Sequence, residues 1–254
     1  MKNLKIIAHR GASFDAPENT LASVNLAWSQ NIHDVEVDVK LTKDNILIVF
    51  HDETTIRFNQ INKPVREYNF KELSAIDVGI FKGEQWKNEF IPSLEAVLKT
   101  IPASRKLVVE LKDGPEMENA LVRLEKNNAN IWKQLEFISF KYETICMAKK
   151  IFPSNKCLWL LNLDYDSETK KNAPSNKDII HKIKQHNLDG IDVFAGEIAN
   201  ELFFKTMHQE NFEIYLWTIN TIEHAKQYLS FSPHGLTTDK PKWMKEQLNM
   251  MNGK

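Results

Sequence analysis

Apolar positions along the chain switch between two periods, and the switching predicts an architecture. Short apolar runs at 4–8, 35–39, 107–111, 137–140, 157–161, 190–194, 214–219 and 235–238 read as strands. Stripes of helical period predict helices over about 21–30, 92–98, 116–127, 142–151, 176–187, 200–209, 221–230 and 241–250. Eight strand–helix units in a 254-residue chain fit a TIM-type (β/α)8 barrel filling 1–254 as a single domain. The runner-up is an open doubly wound sheet, but no Gly-rich phosphate loop follows the first strand.

Two departures from the rhythm stand out. A second β-branched run at 46–49 follows the turn-forming Thr42-Lys43-Asp44-Asn45, so 35–51 reads as a β-hairpin after the second strand. Residues 53–90 are mixed and polar, with one short helical candidate around 70–76, and read as a small lid-like insertion.

Strand alternation then sorts the chemistry. In Val35-Glu36-Val37-Asp38-Val39 the valines share one face and the two carboxylates the other. His51 ends the hairpin. A two-residue loop would pair it with Asp38 and a four-residue loop with Glu36, whereas a three-residue loop would set it opposite Val37, away from the charges. Val108-Val109-Glu110-Leu111-Lys112 ends its strand with Glu110 and Lys112 on one face. Active sites of barrels lie at the C-terminal strand ends, where His9, Glu36, Asp38 and Glu110 all fall. Three carboxylates at the mouth of a low-dielectric barrel require a compensating cation. With no cysteine and no histidine-rich ligand set beside them, a hard divalent ion, Mg²⁺ or Ca²⁺, is expected. The alternative is that Arg10 and Lys112 neutralise the acids without a metal.

Composition excludes more than it suggests. At 42% hydrophobic, 26% charged and net charge −1, the chain offers no bulk electrostatic reason to bind nucleic acid or an anionic membrane. Cys146 and Cys157 lack metal-site spacing and are expected as buried thiols. Neither a signal-type apolar segment nor a run of membrane-spanning length is present, so no membrane anchor and a cytoplasmic setting are expected. The Lys-rich stretch 169–184 reads as a solvated helix face, and His33, His181, His186, His208, His224 and His234 as surface or loop residues without acidic strand-end neighbours. Glu18 is expected to order the first loop, and Asp239 to close a turn with a supporting role left open.

HRG at 9–11, PENT at 17–20, ExD at 36–38, TKD at 42–44, HD at 51–52, IPSLEAVL at 91–98, ExK at 110–112, WTIN at 217–220 and GLTTDKP at 235–241 occur in an order that resembles the glycerophosphodiester phosphodiesterase family. The resemblance spans almost the whole chain. It implies a TIM barrel that hydrolyses small-molecule glycerophosphodiesters to an alcohol and sn-glycerol 3-phosphate. It further implies Glu36, Asp38 and Glu110 as holders of the divalent metal, His9 as base and His51 as acid. Arg10 and Lys112 would contact phosphate, and Trp217 would wall the glycerol pocket, with simple barrel packing an equal alternative for it. The chain departs from the family pattern after HD: Arg57 is retained, but Phe58-Asn59 differs, which touches the substrate contacts of the insertion. A lysophospholipase D-like enzyme acting on a lipid diester, and a non-catalytic barrel binding phosphorylated ligands, are the competing readings.

Overall fold

The computed structural model describes residues 4–127, 131–163 and 174–253. Eight parallel strands, β1 (Lys5–Ala8), β2 (Asp34–Leu41), β4 (Lys106–Leu111), β5 (Leu135–Ser139), β6 (Cys157–Leu161), β7 (Gly190–Phe194), β8 (Glu213–Trp217) and β9 (Gly235–Thr238), form a ring that closes where β1 pairs with both β2 and β9. The remaining strand, β3 (Leu47–Val49), runs antiparallel to the end of β2. The closed barrel is the fold expected from the periodicity.

Helices follow the strands: α1 (Leu21–Ser29), α2 (Ile56–Asn59), α3 (Phe70–Leu73), α4 (Leu94–Leu98), α5 (Glu118–Asn127), α6 (Tyr142–Ile151), α7 (Asn176–Gln185), α8 (Glu201–Gln209), α9 (Ile222–Leu229) and α10 (Pro241–Asn252). Local chemistry sets their starts. Thr20, last residue of the PENT motif, caps α1 through its hydroxyl to the Ser23 N–H, and Ser23 returns the bond to Thr20. Exposed Lys177 and Lys184 on α7 fit the solvated face expected there; residues 169–173 of that stretch lie outside the described residues.

Alternation along β2 divides two environments. Val35, Val37 and Val39 pack in the main core, together with Val24, Ala27 and Trp28 of α1 and Leu94, Val97 and Leu98 of α4. The intervening Asp34, Glu36, Asp38 and Lys40 are equally buried, on the interior side of the barrel. The lower interior is closed by Lys5, whose Nζ donates to Glu136 Oε1 (2.7 Å) and to the Tyr215 hydroxyl (2.6 Å), while Tyr215 donates to Glu136 Oε2 (2.8 Å). An apolar layer of Ile7, Val108, Ile138, Leu158 and Leu160 lies beside it.

Two expectations need correction. The hairpin loop has three residues: the Thr42 N–H donates to the Ile46 carbonyl (3.0 Å), and Asn45 takes the left-handed conformation (φ 60°) that closes such a loop. The resulting register, Val39 against Val49, is the one that would carry His51 opposite Val37 if the ladder continued. It does not continue. Strand pairing ends at Val49, the Phe50 N–H makes a last bond to the Asp38 carbonyl, and the chain turns His51 into the barrel mouth. The segment 53–90 likewise holds more than one helical turn. It carries α2 and α3 with 3₁₀ turns at Val65–Glu67, Ile80–Lys82 and Glu84–Trp86. Val65, Tyr68, Leu73 and Val78 form a second apolar cluster against Ile48, Phe50 and Ile91. Cys146 and Cys157 are buried free thiols, as expected.

Phe137 on β5 is fully buried and stacks on Phe152, ring centroids 4.6 Å apart. Phe137→Ala should cost about 3–5 kcal/mol of unfolding free energy, read from urea denaturation, because the surrounding barrel wall cannot collapse into the space.

Candidate active site

β2 and β4 are in register, with Asp38 directly opposite Glu110 and Glu36 one inward-facing position below Asp38. Ligand atoms of Glu36, Asp38 and Glu110 lie within 4.8 Å of one another, and all three residues are buried. Their surroundings force their ionisation apart. Burial, with Asp38 and Glu110 nearby, pushes the Glu36 carboxyl well above the usual carboxylate range. Burial and the Asp38 charge push Glu110 up to about 7. Burial also opposes ionisation of Asp38, but Lys112, Arg10 and His51 outweigh it and hold that carboxyl well below its usual range.

The cations do not cover all three acids. Lys112 Nζ lies 2.9 Å from Glu110 Oε1 and 3.3 Å from Asp38 Oδ1. Arg10 Nε lies 3.1 Å from Asp38 Oδ2, and its Nη1 is drawn 3.2 Å from Glu18 Oε1. Among the described residues Glu36 receives only the Arg10 backbone N–H (2.8 Å), and its Oε1 is buried without a hydrogen-bond partner. Neutralisation by Arg10 and Lys112 alone therefore leaves a buried carboxylate unmatched. An oxygen-only donor set with orphaned buried oxygens fits a hard divalent cation such as Mg²⁺ or Ca²⁺.

Backbone geometry places Arg10 here. Arg10 (φ 56°) and Gly11 (φ 79°) both adopt left-handed conformations, and a Cβ on Gly11 would meet Ser23 at 2.5–2.7 Å. Asn19, also left-handed, clamps Asp38 twice, donating to its Oδ2 (2.8 Å) and accepting from its N–H (3.1 Å). These contacts give the HRG and PENT motifs a physical reason.

Each histidine is held by a carboxylate. His9 Nδ1 lies 2.7 Å from Asp239 Oδ1, and His51 Nδ1 lies 3.0 Å from Asp52 Oδ1. A carboxylate accepts hydrogen bonds, so Nδ1 carries a proton in both rings and Nε2 is the nitrogen left for chemistry. Asp239 also accepts from Asn220 Nδ2 (2.6 Å) and the Ser13 hydroxyl (3.1 Å). The hydrogen bond from His9, with those from Asn220 and Ser13, overcomes burial and holds its carboxyl down to about 2. Asp52 is lowered chiefly by the His51 hydrogen bond, and Arg57 Nε (2.9 Å) adds to it. Arg57 Nη2 reaches Glu18 Oε1 (2.6 Å), so the insertion is tied to the first loop through Glu18, in the ordering role expected of that residue.

His9, Arg10, Glu36, His51, Glu110 and Lys112 line one cavity of about 240 Å³. Asp38 sits just behind it. Trp217, half-buried, forms part of the opposite wall against Phe140 and Phe194, with centroids at 5.5 and 5.3 Å. All eight residues singled out from the sequence are thus brought together. Asp192 of β7, which sequence reasoning passed over, lines the same cavity; burial and the facing Glu110 push its carboxyl well above the usual range. Among the remaining histidines, His33 does have an acidic strand-end neighbour, Asp34 (2.9 Å), at the opposite end of the barrel. His208 and His224 bond backbone carbonyls, and His234 accepts from the Ile214 N–H.

Comparison with known proteins gives a consistent result. The family described as the glycerophosphoryl diester phosphodiesterase family matches residues 9–243. A glycerophosphodiester phosphodiesterase of Caldanaerobacter subterraneus subsp. tengcongensis is 29% identical over 246 residues, 95% of this chain and 96% of that protein. Human glycerophosphodiester phosphodiesterase 1 is 25% identical, over 93% of this chain and 78% of its own. A phosphodiesterase from Oleispira antarctica, solved in complex with the product sn-glycerol-3-phosphate, superposes with a TM-score of 0.84 at 25% identity over 96% of each chain.

Glu110 makes the electrostatics testable. Its folded value of about 7 lies above the usual 4.5, so its contribution to stability is full below about pH 4.5 and is lost as pH rises through about 7. In chelator, Glu110→Gln should therefore gain melting temperature relative to wild type between pH 5 and pH 8. An unchanged difference across that interval would show that the acids are already neutralised by Arg10 and Lys112.

Proposed function

Because the chain belongs to the glycerophosphoryl diester phosphodiesterase family, we propose that it hydrolyses glycerophosphodiesters to sn-glycerol 3-phosphate and a free alcohol, with His9 and His51 as its acid/base pair. The observation that carries this reading is the pairing of each histidine, through Nδ1, with its own aspartate, while both line the same cavity as Glu36 and Glu110 of the acidic cluster. A divalent ion held by Glu36, Asp38 and Glu110 would supply Lewis-acid stabilisation of the phosphoryl oxygens.

The side chains divide the remaining work. Arg10 and Lys112 offset charge developing on the non-bridging oxygens. His9, neutral with Nδ1–H on Asp239, accepts through Nε2 the proton of water or of the neighbouring glycerol hydroxyl; Asp239 then stabilises the imidazolium. His51 enters the step protonated, stabilised by Asp52, and donates from Nε2 to the departing alkoxide. Trp217 and Phe140 give the organic part an apolar wall and exclude water. The segment 53–90 acts as a lid-like insertion, fixed to the first loop by the Arg57–Glu18 contact.

A lipid diester is the second reading, favoured by exposed apolar side chains in loops that follow the barrel strands. Phe14, after β1, and Phe81, in the insertion, are 56% and 64% exposed.

Release of sn-glycerol 3-phosphate from glycerophosphocholine should be lost in EDTA and restored by Mg²⁺ or Ca²⁺. His9→Ala and His51→Ala should each lower turnover by about 100-fold or more, and the wild type should give a bell-shaped pH profile. Near-normal turnover in both variants would end the acid/base assignment. Activity on lysophosphatidylcholine but not on glycerophosphocholine would select the lipid diester.

A further inference from the structure

The cavity has two unlike halves. β1, β2 and β4, with the turn after β3, contribute the cations, the acidic cluster and the histidines, the equipment for a phosphoryl group. β7 lies four strands from β2 in either direction around the ring, so it faces that equipment across the barrel. The lining residues on β5 to β8, and just beyond β5, are Ile138, Phe140, Leu160, Trp217 and one ionisable group, Asp192.

Asp192 is 2% exposed, and its Oδ1 has no hydrogen-bond partner among the described residues. Among the described residues no cation stands beside it in the way Lys112 and Arg10 stand beside Asp38; the charged group it faces is Glu110. Its position on the inward face of β7 would be cheaper with an apolar side chain, as its neighbour in register, Leu160, illustrates. A carboxyl kept at such a point without a protein partner calls for a partner from outside the protein. Within a cavity of about 240 Å³, whatever organic group is attached to a phosphoryl held by Arg10 and Lys112 must lie against this wall.

We infer that Asp192 is a specificity-determining residue whose carboxyl hydrogen-bonds the hydroxyls of the substrate's glycerol unit, while Trp217 and Phe140 cover its carbon skeleton. The inference rests on the glycerophosphodiester reading and deepens it, because it assigns recognition of the polyol to one side chain. A carboxyl accepts from hydroxyl in either protonation state. An analogue that keeps the phosphate but lacks the hydroxyls would leave Asp192 buried and unpaired, and that penalty is the discrimination.

The test is binding, with Mg²⁺ present, of sn-glycerol 3-phosphate and of n-propyl phosphate, which has the same skeleton without hydroxyls. Titration calorimetry on wild type, Asp192→Leu and Asp192→Asn reads it without requiring turnover. The wild type should bind glycerol 3-phosphate about tenfold more tightly than propyl phosphate, the ratio expected for one or two buried hydrogen bonds. Asp192→Leu should reduce that ratio to below about threefold with propyl phosphate affinity unchanged, and should melt no lower than wild type. Asp192→Asn, which keeps hydrogen-bonding atoms, should preserve most of the preference.

A wild type that does not discriminate, a Leu variant that keeps the preference, or one that weakens both ligands equally overturns the assignment. So does a Leu variant that melts well below wild type, since the carboxyl would then serve the fold. Failure of the broader reading shows elsewhere, as a wild type that releases no glycerol 3-phosphate from glycerophosphocholine, and leaves the binding comparison interpretable.

Discussion

An unmatched negative charge at the barrel mouth is the constraint on which the rest of this site depends. Three carboxylates within 4.8 Å of one another face two cations, one of which is shared with Glu18. In a low-dielectric setting this arrangement is held only at a cost, which appears as Glu36 and Glu110 driven toward the neutral acid while Asp38 keeps its charge. The balance also points to the ligands. A divalent cation would turn the deficit of one positive charge into an excess of one, which a phosphodiester monoanion would cancel.

Supporting contacts hold these charges in place. Asn19 grips Asp38 from two sides, the left-handed Arg10 turns its backbone N–H onto Glu36, and the absence of a Cβ on Gly11 lets that turn pack against Ser23. The histidines are fixed in a similar way by groups from elsewhere in the chain. Asp239 arrives from the end of β9 and is itself oriented by Asn220, while Asp52 is braced by Arg57 of the insertion. Imidazole orientation and tautomer are therefore set within the fold, as the proposed proton transfers would need.

What was legible in the sequence was what strand periodicity encodes. Glu36, Asp38, Glu110 and Lys112 could be placed on inward faces because Val35, Val37, Val39, Val109 and Leu111 mark the outward ones. His51 reached the mouth by a route the alternation rule forbids: the three-residue loop gives the wrong parity, and a chain turn after Val49 undoes it. Periodicity says nothing about where a ladder stops. Asp192 was missed because, in Gly-Ile-Asp-Val-Phe, one carboxyl among apolar neighbours reads as an ordinary solvent-facing position; only barrel closure turns that face inward. The four-residue helices of the insertion carry too few turns to leave a periodic signal, and their stability comes from packing on Ile48 and Phe50.

The barrel interior contains a second set of buried charges, and the contrast between the two separates structure from function. At the lower end Glu136 takes two bonds from Lys5 and one from Tyr215, and Asp34 lies 2.9 Å from His33 Nδ1 and 3.5 Å from Lys5. Both carboxylates there are paired with a cation: Glu136 by Lys5, and Asp34, whose Oδ1 makes no hydrogen bond, by the same Lys5 ammonium, as groups that serve folding must be. At the upper end, in the same fold and at similar burial, Glu36 and Asp192 each keep an oxygen that has neither a hydrogen bond nor an ion pair among the described residues, beside a cavity. A sequence free to choose apolar residues at those two positions would gain stability by doing so. In the proposed reading the ligands would bring the missing partners, a cation for Glu36 and a hydroxyl for Asp192.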